Sequence, residues 1–553
     1  LSRQEGHAAG VETVRRAVRF IADAGIECLT LFSFSTDNWH RPSVEVKFLM
    51  RLLKHYIEAD LADLHDNDVR VKVIGKRQDL DAQLVKLIEH AEQLSAQNTG
   101  MRLQIAFNYG AREEIADAAA RLAQRVAQGE LEAGNITPDL VDAVLEEAGK
   151  FGSDVLAPLN HTGDQEGCVL ENGIVRTPKG FPDAYQQFFQ GGWNAIWAPE
   201  EWGGQGLPKA LALAVMEMIH AANMSFGLCP LLSFGAIEAL LHHGTDTLKQ
   251  TYLPNLVAGN WTGTMNLTEP QAGSDVGALK TKAVPNEDGS YAISGQKIFI
   301  TWGEHDCAEN IIHLVLARTP GSPEGTKGIS LFIVPKILPD GSRNDLRAIG
   351  VEHKLGIHGS PTCTMEYTGA TGWLIGEANK GLACMFTMMN SARLNVGLEG
   401  VAVGEAAYQT AFEYAQERKQ GKVQGVDGPA PILHHADVRR TLTTMRARVA
   451  AARAICYACG VAADLADAAT DEQARHAAKL REDLLTPIAK AWSTDMGVDV
   501  ASLGLQIHGG MGFMNETLAA QLYRDARIAP IYEGTNGIQA IDLVGRKLSG
   551  TNG

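Results

Sequence analysis

The sequence predicts a multidomain fold: an incomplete α/β parallel-sheet fragment, then a helical domain, a β domain and a second helical domain. Three observations predict it. The first 137 residues alternate short β-rich runs with helix-like stretches, as parallel sheets flanked by helices do. Residues 261–371 hold short runs rich in Thr, Ile, Val and Gly, and helical periodicity dominates before and after them. The 553 residues suffice for about three or four domains.

The first domain, residues 1–137, combines predicted strands with predicted helices. The strands are residues 27–36, 69–75 and 102–108, and the helices are residues 44–63 and 81–97. This order is typical of βαβ units. The pattern breaks at 129–139, where Gly, Pro and polar residues predict a domain boundary.

Three further domains follow this boundary. Residues 138–260 are predicted to be helical, residues 261–375 to form strands and turns, and residues 376–553 to be helical again. The last domain has long Ala-, Leu- and Arg-rich stretches, which are residues 398–419, 434–468 and 473–507.

Composition excludes several classes of protein. The net charge of −16 would repel phosphate backbones, so nucleic-acid binding is not expected. The sequence has no uninterrupted apolar run of about 18 residues and no apolar signal core, so neither a membrane span nor a leader is expected. Eight scattered cysteines predict reduced thiols and a cytoplasmic location. Cys456 and Cys459 form a CxxC, but no second pair completes a metal site, so we interpret them as buried helix residues.

Two stretches of the β domain have the composition of a ligand site. Residues 265–275 (MNLTEPQAGSD) offer hydroxyls and backbone amides, and Gly273 allows close approach. Residues 295–303 (GQKIFITWG) end a strand with aromatic side chains that suit a planar cofactor. Taken singly, an ordinary surface turn and an ordinary core strand explain them as well or better.

Two stretches of the last domain complete the set. Residues 506–513 (QIHGGMGF) place two glycines after a long helix, where a pyrophosphate or merely a helix cap fits, and His508 is more simply structural than catalytic. Residues 524–539 (RDARIAPIYEGTNGIQ) place Glu533 in an otherwise apolar, Gly-rich turn. Such a turn favours a raised pKa, which suits a general base.

Together and in this order, these four motifs resemble the acyl-CoA dehydrogenase family of flavoenzymes over residues 138–553. Further stretches, such as 352–363 and 386–394, resemble the branch of broad-range fatty acyl-CoA and 3-(methylthio)propanoyl-CoA dehydrogenases. The resemblance implies FAD as cofactor and an acyl-CoA substrate, with Glu533 as the base that removes the α-proton. It implies an electron-transferring flavoprotein as acceptor, and a homo-oligomer in which FAD bridges two subunits.

The resemblance also assigns roles residue by residue. Some relatives carry the base on a helix, but that position here is Ala392, which cannot take a proton. Arg393 is expected to steady the loop of the base, and Gly534 and Ser274 to lie near the substrate. The expected flavin contacts are Met265, Leu267, Thr268, Gly273, Ser274, Phe299, Thr301, Arg418, Gln506, Gly509, Gly510 and Thr535.

Residues 1–137 resemble a different family. FSFSTDNWHRP (32–42) and NTGMRLQIAFNYGAREEI (98–115) are similar to cis-prenyltransferases of the undecaprenyl-diphosphate synthase type, over about half of such an enzyme. The resemblance places a vestigial prenyl-diphosphate site at His7, Ser35, Asn38, Trp39 and Arg41. The family's DGNGRW and Arg-rich motifs are missing, and the first residue is Leu, so we expect an inactive fragment.

Three functions therefore remain open. The first is an FAD-dependent acyl-CoA dehydrogenase with an inert N-terminal appendage. The second is a cis-prenyltransferase. The third is a catalytically inert chimera of two incomplete proteins, since the branch resembled by residues 138–553 usually continues into a further helical domain.

Overall fold

The structure, a computed structural model, describes residues 138–423 and 428–548 throughout. Of the first 137 residues it describes 16, 18–21, 28–35, 46, 50, 54, 61, 64–65, 67–74, 77 and 80–109. The chain divides into two compact units, Leu1–Pro138 and Asp139–Gly553.

The first unit contains a parallel sheet of three described strands. They are β1 (Cys28–Ser35), β2 (Arg70–Ile74) and β3 (Arg102–Tyr109), and β3 lies between the other two. Helix α1 (Ala82–Leu94) begins where the Asp81 carboxylate accepts a hydrogen bond from the Gln83 amide at 3.0 Å. Leu84 and Ile88 of this helix pack against Val73 and Phe107 of the sheet. The predicted α/β parallel-sheet fragment is thus confirmed.

The second unit begins with helices. They are α2 (Pro138–Lys150), α3 (Ala157–Glu166), α4 (Phe181–Gln190), α5 (Lys209–Ala222), α6 (Met224–His243) and α7 (Asp246–Ala258). The helical prediction is correct here except for a small hairpin of β4 (Val169–Glu171) and β5 (Ile174–Arg176). Its three-residue strands are too short to show a period of two.

The β domain is a seven-stranded sheet. Its strands are β6 (Trp261–Asn266), β7 (Lys282–Pro285), β8 (Tyr291–Thr301), β9 (Asn310–Ala317), β10 (Ser330–Pro335), β11 (Leu346–Val351) and β12 (Thr362–Ile375). The order is β6-β9-β10-β12-β8-β7, with β11 also paired to β12. Every residue of β9 and β10 is buried, so these central strands form the core of the domain.

Among the described residues, three long α-helices and two short ones form the last domain. They are α8 (Gly381–Glu417), α9 (Ala436–Ala468), α10 (Glu472–His508), α11 (Leu518–Ala526) and α12 (Asn536–Asp542). Glycines let α8 and α10 approach closely. A Cβ atom on Gly400 would lie 2.2 Å from the Ser493 carbonyl oxygen, and one on Gly497 would lie 2.7 Å from the Gly400 carbonyl oxygen.

Two of the described helices are long and apolar enough to cross a membrane. They are Met224–His243, with 89% of its apolar window buried in the protein, and Ala436–Ala468, with 39%. Buried core helices pass the same test of length and composition, so it is weak evidence for a span. Cys456 and Cys459 are buried free thiols on α9, which confirms their interpretation as helix residues.

Candidate active site

Glu533 lies in the loop between α11 and α12, with a left-handed φ of +55° that is costly for a residue with a side chain. Its side chain is partly buried. Burial raises the pKa of Glu533, and the positive charges of Arg393 and Lys490 oppose that increase. The Glu533 amide N–H has no acceptor among the described residues, so it is free to donate to a ligand.

Side chains from two long helices and from α12 hold this loop. Gln539 Nε2 donates to the Glu533 carbonyl oxygen at 3.1 Å, and Arg393 Nε approaches the same oxygen at 3.4 Å. Lys490 Nζ donates to the Gly534 carbonyl oxygen at 2.8 Å. Arg393 also forms a buried ion pair with Asp542 at 3.1 Å. These bonds fix the backbone on the C-terminal side of Glu533. The Glu533 carboxylate itself accepts no hydrogen bond from the described residues.

The next two residues also have fixed roles. Gly534 has a φ of +81°, and a Cβ atom there would lie 2.9 Å from Gln539 Nε2. The Thr535 hydroxyl caps α12 by accepting a hydrogen bond from the Ile538 amide at 3.4 Å.

A Gly534→Ala substitution is expected to lower the free energy of unfolding by about 1–3 kcal/mol, because alanine strains this left-handed position and displaces Gln539. Urea unfolding measures the loss. Gly537→Ala is the matched control, since the nearest atom to a Cβ there lies 3.8 Å away. Equal stability of the two variants would contradict the prediction.

A second group of predicted residues lies where β6 and β8 end. The Ile298 amide donates to the Thr268 carbonyl oxygen at 2.9 Å, and Thr264 Oγ1 donates to the Thr301 carbonyl oxygen at 2.7 Å. Phe299 has a left-handed φ of +59° and is 59% exposed. Of the remaining predicted contacts, Met265 is buried, Leu267 is half-buried, and Gly273 and Ser274 are exposed. The structure therefore brings two separate sequence motifs to one edge of the β domain.

A buried ion pair lies beneath this edge. Lys297 Nζ lies 2.9 Å from Glu269 Oε1 and also donates to the Leu267 carbonyl oxygen at 3.0 Å. Burial alone would raise the pKa of Glu269, but Lys297 and hydrogen bonds from Thr281 and Lys280 lower it to about 2. Glu269 is therefore a carboxylate at neutral pH, and the pair fixes the turn that carries Leu267 and Thr268.

The residues of this edge fit a flavin. Phe299 offers an exposed aromatic face, on which a planar ring can stack. A Cβ atom built on Gly273 meets no heavy atom within 4 Å, so the loop has open space where backbone could approach a ligand.

A third group lies at the far end of α10. Gln506, Gly509 and Gly510 are exposed there, and so is Arg418, which follows the last residue of α8. His508 stacks on Tyr414 of α8 with ring centroids 4.5 Å apart, and its Nδ1 bonds the Gly504 carbonyl oxygen, so it is structural. His508 follows Lys490 by eighteen residues, which is about 27 Å along a helix. This group therefore does not meet the loop of Glu533 within one chain.

A cavity of about 750 Å³ lies between α5, α6, α8, α9 and α10. Its α8 wall includes Phe386, Asn390 and Leu394. The Arg393 guanidinium lies 5.7 Å from the centre of the Phe386 ring, so the wall of the cavity contacts a residue that holds the loop of Glu533. Basic side chains line the cavity, namely Lys209, His242, His243, Arg475, His476 and Lys479, and so do the carboxylates of Glu238, Asp467, Glu472 and Glu482.

The predicted prenyl-diphosphate residues stay largely untested. His7, Asn38, Trp39 and Arg41 lie outside the described residues, and Ser35 is the last residue of β1.

Sequence reasoning missed Lys490, Glu269 and Lys297 as supports of the candidate site. Lys297 sits within the QKxFIT motif, four residues after Ile293 and so on the same face of the strand as that buried residue, and this alternation was the available signal.

Comparison with protein families assigns both parts of the chain. Models of the N-terminal, middle and C-terminal domains of acyl-CoA dehydrogenases match residues 138–260, 264–370 and 379–548. A prenyltransferase model, described as undecaprenyl diphosphate synthase, matches residues 1–156, which extends past the predicted boundary at 137.

Individual relatives agree with these matches. The 3-methylmercaptopropionyl-CoA dehydrogenase of Ruegeria pomeroyi is 54% identical over 415 residues, which are 73% of this chain and 70% of that protein. An isoprenyl transferase of Agrobacterium fabrum is 43% identical over 202 residues, 36% of this chain and 75% of that protein, which is more than the expected half.

Solved structures show the same fold. An acyl-CoA dehydrogenase from Bacillus anthracis, solved in complex with FAD, is 26% identical with a TM-score of 0.64 and covers 74% of this chain and 68% of its own. With a prenyltransferase-like region before its dehydrogenase domains, this chain belongs to the acyl-CoA dehydrogenase family of flavin-dependent oxidoreductases.

Proposed function

We propose that this protein removes the α-proton and the β-hydride of an acyl-CoA thioester to give the trans-2-enoyl-CoA, with Glu533 as the base. The observation that carries the proposal is a carboxylate in a partly buried loop, with a raised pKa and a clamped backbone. The α C–H is a weak acid, so its removal needs a carboxylate positioned in a largely dry site. FAD, when bound, supplies the acceptor for the hydride.

The residues of the chain have separate roles in this proposal. Glu533 holds the α-proton on its carboxylate, and its free amide N–H donates to the thioester carbonyl oxygen, which gains negative charge during proton removal. Arg393 and Gln539 orient the base through its backbone carbonyl. Thr268, Phe299 and Thr301 would hold the flavin ring, with Met265 and Leu267 contributing backbone groups and Gly273, Ser274 and Thr535 further contacts.

The cavity beside α8 suits the rest of the substrate. Coenzyme A carries phosphates, and the cations Lys209, Arg475 and Lys479 are among the residues that line the cavity beside a wall that contacts Arg393. Lys209 is already paired with Glu238 and Asp467, whereas Arg475 and His476 have no carboxylate partner among the described residues. Arg475 is therefore the cation that we expect a phosphate to meet, with His476 beside it in the lining of the cavity. Ser274 and Gly534 lie near the substrate in this proposal.

The remaining assignments also stay proposals. Arg418, Gln506, Gly509 and Gly510 would reach the adenine-nucleotide half of FAD in a second subunit, which requires a homo-oligomer. The electron acceptor would be an electron-transferring flavoprotein. Prenyl transfer is not proposed, and four of the five residues predicted for it lie outside the described residues.

The absorption spectrum of the purified protein tests the proposed function. The flavin band between about 300 and 550 nm is expected to bleach after anaerobic addition of an acyl-CoA, because the hydride reduces the bound flavin. Medium-chain acyl-CoA, long-chain acyl-CoA and 3-methylmercaptopropionyl-CoA should be compared, and free CoA is the control. A flavin-loaded protein that none of the thioesters bleaches would contradict the proposal.

A further inference from the structure

A second carboxyl group lies directly behind the loop of the base. Glu399 of α8 is completely buried, and its Oε2 accepts a hydrogen bond from the Tyr532 hydroxyl. Its other oxygen, Oε1, has no hydrogen-bond partner among the described residues. A buried carboxyl group with one unpaired oxygen lowers the stability of the folded protein, which indicates that Glu399 has a role other than stability.

The groups around Glu399 come from three elements. Tyr532 and Glu533 face it from the loop, Lys490 faces it from α10, and Arg393 lies six residues, about 1.7 turns, earlier on its own helix. Burial raises the pKa of Glu399 to about 8, the hydrogen bond from Tyr532 opposes this, and the charge of Glu533 adds to it. At neutral pH Glu399 is therefore mostly the uncharged acid.

The bond from Tyr532 completes the support of the base. Lys490, Gln539 and Arg393 hold carbonyl oxygens at and after Glu533. On the preceding side, the Tyr532 amide donates to the Ile528 carbonyl oxygen at 3.2 Å, and the Tyr532 hydroxyl is the side-chain anchor. The strained φ of Glu533 therefore lies between two fixed segments.

We propose that Glu399 is a positioning residue for the base: its carboxyl group fixes the Tyr532 hydroxyl and so holds the loop on the N-terminal side of Glu533. The inference rests on the proposed role of Glu533. It assigns to Glu399 no contact with substrate or flavin.

Four variants of the flavin-loaded protein test the inference through the rate of anaerobic flavin bleaching. Glu399→Leu and Tyr532→Phe each remove the bond and are expected to slow bleaching about 10-fold, with little change in KM, because the base is displaced. Glu399→Gln keeps a carbonyl acceptor for Tyr532 and is expected to stay within about twofold of the parent protein. The double variant Glu399→Leu/Tyr532→Phe should be no slower than either single variant, since both remove the same bond.

Thermal unfolding provides a readout that does not depend on activity. The raised pKa means that the contribution of Glu399 to stability is fully present below the pKa of an unfolded Glu and is lost as the pH rises towards about 8. Glu399→Gln has no such loss. The difference in Tm between Glu399→Gln and the parent protein should therefore grow in favour of the variant from pH 5 to pH 8.

Each outcome decides the question. Bleaching by Glu399→Leu within twofold of the parent, a Gln variant as slow as the Leu variant, or additive losses in the double variant would each overturn the inference. If Glu399→Leu does not fold, Tyr532→Phe and Glu399→Gln decide it. Glu533→Gln is measured alongside. If its flavin bleaches at the normal rate, the proposed function fails. If Glu533→Gln is inactive while Glu399→Leu and Tyr532→Phe bleach normally, only the role of Glu399 is contradicted.

Discussion

Glu533→Gln is expected to lower kcat by roughly 10²–10⁴-fold, because an amide cannot take the α-proton. The substitution keeps the size of the side chain, and the bonds from Gln539 and Lys490 reach backbone carbonyls that it does not alter. Flavin content and substrate binding should therefore be unchanged. Steady-state turnover with an artificial electron acceptor, together with exchange of the α-proton with solvent deuterium, measures the effect.

The matched control for this variant is Glu516→Gln, which changes an exposed carboxylate elsewhere in the same domain. It should retain full turnover. The pH profile gives a second check: the carboxylate is the active form and burial raises its pKa, so activity is lost on the acid side at a higher pH than for an exposed Glu. Turnover by Glu533→Gln at the rate of Glu516→Gln would remove Glu533 from the mechanism.

Lys297→Met is expected to lower the free energy of unfolding by about 3–5 kcal/mol, because it leaves the buried Glu269 carboxylate without its cation. Both side chains are almost completely buried, at 0% and 3% exposure. The turn that carries Leu267 and Thr268 loses its support as well, so the flavin content should fall with the stability. Urea unfolding and the ratio of flavin to protein absorbance measure the two effects.

Two comparisons make this result interpretable. Lys282→Met changes an exposed lysine of β7 in the same sheet and should cost little. The double variant Glu269→Gln/Lys297→Met removes both charges and should recover most of the lost stability. A loss in Lys297→Met no larger than in Lys282→Met would show that the ion pair does not support this turn.

Periodicity predicted the larger elements well, because long amphipathic patterns and buried apolar runs leave a clear signal. The three strands of the first unit and helix α9 lie within about three residues of their predicted ends. The hairpin of β4 and β5 was missed because strands of three residues have too little pattern. The last domain was predicted to be helical from residue 376, and its first helix, α8, begins at Gly381.

The sequence predicted the residues proposed to act in the candidate site, but not the residues that hold them in place. Glu533 and Arg393 were singled out from motifs, and the structure places Arg393 Nε 3.4 Å from the Glu533 carbonyl oxygen. The role of Glu533 as base stays a prediction. The contacts of Lys490 with Gly534 and of Glu399 with Tyr532 join residues far apart in the chain, and no local pattern reports such pairs. The left-handed φ of Phe299 was equally invisible, because only Gly, Asn and Asp signal it in sequence.

The close crossing of α8 and α10 at Gly400 and Gly497 also constrains when this domain can fold during synthesis. A ribosome delivers the β domain and α8 first, and the glycine-lined face of α8 has no partner until α10 emerges. A nascent chain that stalls before residue 497 therefore exposes a surface meant for close helix contact, which is the kind of intermediate that chaperones bind and that aggregates. The loop of Glu533 follows α10 in the chain. The segment proposed to carry the base is therefore synthesised only after α10 is available to cover the glycine-lined face of α8.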